Sequence, residues 1–117
     1  MTGTIAMEGM EFFAYHGCYD TERIVGNKFR VDAYLETDCS EAAISDNIQD
    51  ALNYATVYDI ITREMMITSH LLEHVTLRVL DALLCSFPEI THATIKVSKL
   101  NPPLGGKVAS TSVTLSK

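Results

Sequence analysis

Two charged residues stand where the hydrophobic pattern calls for apolar ones. Lys99 follows Ala93, Ile95 and Val97 at the same strand parity. A strand keeping its register would aim it toward the covered side of a sheet, just before Pro102-Pro103. Desolvation there would make a neutral amine, and hence proton transfer, more accessible. The plainer alternative is a strand-end lysine whose stem packs while its ammonium reaches water. Glu73 lies on the line of Leu77, Leu80 and Leu84 along a helical pattern, flanking the apolar stripe. A carboxylate beside an apolar wall suits a cationic or amide-like ligand edge, because it accepts two parallel N–H bonds. Its place in the first helical turn also fits a surface glutamate that complements the helix dipole.

Two other spacings resemble sites and are set aside. His70 and His74 are four apart, as a zinc pair on a helix would be, but no third ligand is evident. Gly105-Gly106-Lys107 resembles the end of a phosphate loop, but it lacks the preceding glycine and the following Ser/Thr. A strand also follows it where a phosphate loop requires a helix.

Several elements must position these groups. Ile5 to His16 reads as a strand with a bulge near Gly9. A polar loop is expected from Gly17 to Asn27. Phe29, Val31, Ala33 and Leu35 then alternate with Arg30, Asp32, Tyr34 and Glu36, which is the pattern of a half-buried strand. Residues 40–53 are polar and irregular, with one helical turn near Glu41-Ala42-Ala43. Thr56 is expected to open a helix with Asp59 in an acidic capping box, and Val57, Ile60, Ile61 and Met65 form its stripe. Ser69 is expected to cap a second helix running to about Cys85, before Pro88. Its stripe is Leu72, Val75, Val79, Leu80 and Leu83. Two more strands follow, over Ala93 to Lys99 and Val108 to Leu115, separated by Asn101-Pro102-Pro103 and Leu104-Gly105-Gly106.

The order strand, strand, helix, helix, strand, strand predicts an α+β fold: a four-stranded antiparallel sheet with two helices on one face. The 117 residues are expected to form a single domain, 1–117. With 47% hydrophobic and 21% charged residues the chain reads as globular and not disordered. A net charge of -6 without a Lys/Arg cluster argues against a nucleic-acid partner. No apolar run is long enough for a bilayer, and no signal peptide is evident. Cys18, Cys39 and Cys85 form no CxxC pair, so reduced thiols and a cytoplasmic location are expected.

Tyr15-His16-Gly17 leading to Glu22, Asp46-Asn47 before Asn53-Tyr54, Leu71-Leu72-Glu73-His74, and Lys99-x-Asn101-Pro102-Pro103 occur in that order. Together they resemble the dihydroneopterin aldolases of folate biosynthesis, from about Ile5 to Leu115. The resemblance implies the tunnelling fold, in which subunits join their sheets into a barrel and stack as a homo-tetramer or homo-octamer. It also implies active sites between neighbouring subunits and a pterin as small-molecule partner.

The implied reaction is metal- and Schiff-base-independent retro-aldol cleavage of 7,8-dihydroneopterin, with no cofactor and no metal. Lys99 would be the general acid/base. Glu73, with the Leu72 backbone, would bind the amino-pyrimidine edge. Glu22 would hold the hydroxylated side chain, and Tyr54 of the neighbouring subunit would close the site and assist proton transfer. Asn53, where some members have His, and Cys18 and Tyr19, where smaller or aliphatic residues are common, depart from the family pattern at the pocket rim. Two alternatives are a dihydroneopterin triphosphate epimerase, which would need more cations, and a non-catalytic oligomeric pterin-binding protein, which would keep Glu73 without needing Lys99.

Overall fold

The computed structural model describes residues 1–117. Strands β1 (Thr2–Ala14) and β2 (Asn27–Asp38) pair first, separated by helix α1 (Asp20–Val25). Helix α2 (Ser40–Ser45) and a 3-10 turn at Ile48–Asp50 lead into α3 (Tyr54–Met65) and α4 (Leu72–Ser86). Strands β3 (Ile90–Leu100) and β4 (Ser110–Ser116) complete a four-stranded sheet of order β1-β2-β3-β4, antiparallel throughout. The α+β expectation holds, and the outer edges of β1 and β4 are unpaired within the chain.

The core lies between one sheet face and the two long helices. Phe29, Val31, Ala33 and Leu35 of β2 and Ala93, Ile95 and Val97 of β3 are fully buried, as their period of two requires. Val57, Ile60, Ile61 and Met65 of α3, and Val75, Val79, Leu80 and Leu83 of α4, close over them. Leu72 is only half-buried and lies at the edge of this layer. The expected bulge is present: the β1–β2 register shifts between Met7 and Met10, and Gly9 has φ 72°. The Gly9 N–H donates to Asp32 Oδ1 at 2.8 Å, which accounts for a buried aspartate on the polar face.

Four local expectations change. The segment expected as a loop from Gly17 to Asn27 holds α1, a helix with no buried residue and therefore no apolar stripe to betray it. Helix α3 starts at Tyr54 and not at Thr56. Asn53 is its N-cap, with Oδ1 accepting from the Ala55 and Thr56 N–H groups. Ser69 does not cap α4, which begins at Leu72 with Leu71 as N-cap and no side-chain cap bond. His70 therefore lies outside the helix that carries His74, so the two do not share a helical face.

Candidate active site

Lys99 is the partner of Phe29 across β2–β3 and projects on the same face as the core. It lies at the end of the sheet, where helix cover gives out. Its Nζ stands 6.0 Å from the centroid of the Phe29 ring and donates to Glu22 Oε2 at 2.6 Å. The side chains of Lys99 and Glu22 are 12% and 20% exposed, so this ion pair is shielded but reachable. Lys99 hydrogen-bonding to the Glu22 carboxylate, and then its charge, hold that carboxyl below its ordinary range against the opposing effect of partial burial.

Glu22 reaches this position from α1. Arg23 ties that helix to the preceding loop by donating to the Gly17 and Cys18 carbonyls at 2.8 Å each, and pairs with Asp20 within the helix. Gly17 is required by close approach. A Cβ there would lie 2.5 Å from Glu22 Cβ and 2.9 Å from Cδ. The buried loop therefore sets where the Glu22 carboxylate sits.

A cleft of about 620 Å³ opens around the pair. Glu22, Leu72, Glu73 and Lys99 all line it, together with Cys18, Tyr19, His70, Leu71 and Pro102 to Leu104. Four of the five expected site residues thus meet in one cavity. Glu73 is exposed to that cleft and not held in a closed core. Its carboxylate accepts no hydrogen bond from the chain and stays free for a ligand. Tyr54, at the start of α3, is 64% exposed and does not line this cleft.

The size suits a bicyclic heterocycle with a short side chain. Chemically, the cleft offers a free carboxylate on one wall and an ammonium–carboxylate pair on the other. Lys99 is its one cationic side chain.

Two contributors escaped the sequence reading. Ser69, taken there for a cap, is a buried junction behind the cleft. His16 is 2% exposed, packs edge-on against Phe29 at 5.1 Å, and accepts the Ser69 N–H on Nδ1 at 3.0 Å. Only the Tyr15-His16-Gly17 motif marked it, since a buried histidine leaves no periodic signal.

Burial lowers the His16 pKa from 6.5 to about 4, and Arg78 and Lys99 add to this, against the Met65 carbonyl. As pH falls below 6.5 the unfolded chain takes up this proton first, so the contribution to stability is full above 6.5 and is lost toward pH 4. Urea unfolding should show up to about 3 kcal/mol lost through this group. His16→Asn should flatten that part of the profile, and an unchanged slope would exclude His16 as its source.

The chain matches the family model described as FolB, dihydroneopterin aldolase, over residues 5–116. It is 32% identical to the dihydroneopterin aldolase of Bacillus subtilis, over 97% of this chain and 95% of that one. It is 33% identical to that of Staphylococcus epidermidis, over 91% and 88%. Among solved structures, the Escherichia coli dihydroneopterin aldolase in complex with neopterin superposes with a TM-score of 0.91 at 25% identity, covering 98% of both chains. The Burkholderia enzyme bound to guanine gives 0.81 at 10% identity, over 99% of this chain and 90% of that one, a likeness of fold.

Proposed function

The chain belongs to the dihydroneopterin aldolase family, and we propose that its cleft divides that family's reaction between a recognition wall and a proton-transfer pair. The reaction is the retro-aldol step of folate biosynthesis, in which 7,8-dihydroneopterin yields 6-hydroxymethyl-7,8-dihydropterin and glycolaldehyde. The observation that carries the assignment of roles is the Lys99–Glu22 pair at 2.6 Å in the same cleft as an unpartnered Glu73.

Glu73 accepts two N–H bonds from the amino-pyrimidine edge, with the Leu72 backbone beside it. A relative bound to neopterin and another bound to guanine support this, since both ligands carry such an edge. Glu22 holds the hydroxyls of the side chain. Lys99 acts, directly or through a water, on the side-chain hydroxyl and the ring nitrogen.

The second hydroxyl of the side chain loses its proton, and the bond between the first and second side-chain carbons breaks. Glycolaldehyde departs, and the electron pair enters the protonated ring imine. Reprotonation of the carbon left on the ring gives the hydroxymethyl product. Because the substrate's own imine is the electron sink, neither a metal nor a lysine Schiff base is required.

Tyr54 completes the site from a neighbouring subunit, where it closes over the substrate and assists proton transfer. Its exposure away from its own cleft supports this. The open edges of β1 and β4 support assembly into a closed ring, stacked as a tetramer or octamer. A triphosphate substrate is disfavoured. Arg23 is committed to Gly17, Cys18 and Asp20, which leaves Lys99 as the cleft's cation.

The test is incubation with 7,8-dihydroneopterin in the presence of a chelator. Glycolaldehyde and 6-hydroxymethyl-7,8-dihydropterin should appear in equal amounts. Absence of glycolaldehyde without chelator would end the aldolase reading, and its loss only on chelation would make this a metal enzyme.

A further inference from the structure

Ser69 does not itself line the cleft, yet all its polar groups bond to the two segments that carry lining residues, the loop before α1 and helix α4. Its N–H donates to His16 Nδ1 at 3.0 Å and its carbonyl accepts the Gly17 N–H at 3.1 Å. Its Oγ accepts from Arg78 Nη2 at 2.9 Å and is bonded to His74 Nδ1 at 2.7 Å. The residue is 3% exposed, so these bonds form away from water.

We propose that Ser69 is a positioning residue that fixes the separation between the cleft's two walls and so governs affinity for the bicyclic substrate. The inference rests on the division of roles given above. One wall is reached through Gly17, whose missing side chain leaves the space that Glu22 packs into. The other is reached along the chain, since Leu72 and Glu73 follow Ser69 by three and four residues at the uncapped entrance of α4.

The Oγ bonds tie this entrance back to His74 and Arg78 on the same helix. Arg78 is itself fixed by Glu64 Oε1 at 2.9 Å and by the Glu64 and Ile67 carbonyls at 3.0 and 2.7 Å. The Glu73 carboxylate takes no hydrogen bond within the chain, so the backbone at the entrance of α4 sets the region its side chain can reach. Two parallel N–H bonds tolerate little displacement, and an error of about 1 Å is enough to weaken them.

Ser69→Ala removes one buried oxygen and should raise KM for 7,8-dihydroneopterin and Kd for neopterin by about tenfold, with kcat within about threefold. Ser69→Thr keeps the hydroxyl and should stay within about threefold of wild type in all three. His74→Ala, at an exposed position, should raise KM by about fivefold at unchanged kcat. It supplies the test if Ser69→Ala does not fold. Simple loss of folded protein removes working sites, which lowers apparent kcat at constant KM. That pattern, or wild-type KM in both folded variants, would overturn the positioning role alone. A wild type that neither binds neopterin nor cleaves 7,8-dihydroneopterin would overturn both this role and the reading beneath it.

Discussion

Lys99→Ala is expected to lower turnover of 7,8-dihydroneopterin by about 10²-fold or more, the usual loss when a positioned acid/base group is removed. The reason is local. Lys99 is the cleft's cationic side chain, it sits where the sheet leaves helix cover, and it touches Glu22 at 2.6 Å. Arg23 does not replace it, because its guanidinium is turned onto the Gly17 and Cys18 carbonyls. His16, its pKa lowered by burial to about 4, is uncharged at neutral pH and is buried against Phe29. The expected signature is a fall in kcat with KM nearly unchanged, read by glycolaldehyde release under steady state. Wild-type turnover would remove Lys99 from the mechanism.

Glu73→Gln should act on the other parameter. The substitution keeps size and one acceptor oxygen but deletes the charge and turns one oxygen into a donor. The amino-pyrimidine edge then meets a like group where it needs an acceptor. Losing charge-assisted bonds worth about 1.5–3 kcal/mol each should raise KM by about 10²-fold. The variant should fold as well as wild type, since the Glu73 side chain is exposed and takes no hydrogen bond within the chain. A KM within a few-fold of wild type would place the recognition group elsewhere.

Much of the fold was legible because burial imposes periods on the chain. The alternation of Phe29 to Leu35 and of Ala93 to Val97, and the stripes Val57 to Met65 and Val75 to Leu83, map onto the buried layer. The same logic set Lys99 on the helix-covered face, as its pairing with Phe29 bears out. Helix α1 was invisible for the opposite reason: it buries nothing, so its sequence Asp20–Val25 follows no stripe. The start of α3 depended on which of Asn53 and Thr56 wins the cap, a contest between two side chains that patterning does not rank.

The site was legible in parts. Phase alone made Lys99 and Glu73 conspicuous but left both open to bland readings. Glu22 entered only through the resemblance, because nothing in a strand or helix pattern brings position 22 to position 99. Their contact depends on Gly17 letting α1 come close, and on Arg23 holding the turn. Ser69 was misread because a serine just before a helix ordinarily caps it, whereas here its atoms join the loop before α1 to side chains of α4. Tyr54 entered only through the resemblance, and it does not line the cleft formed by its own chain.

Separate duties for Glu73 and Lys99 are tested most directly by calorimetric titration of neopterin into wild type, Lys99→Ala and Glu73→Gln under identical conditions. Lys99→Ala should bind within about threefold of wild type, whereas Glu73→Gln should bind about 10²-fold more weakly. Equal losses in the two variants, or the reverse order, would contradict a cleft in which one carboxylate recognises the pterin and one lysine moves its protons.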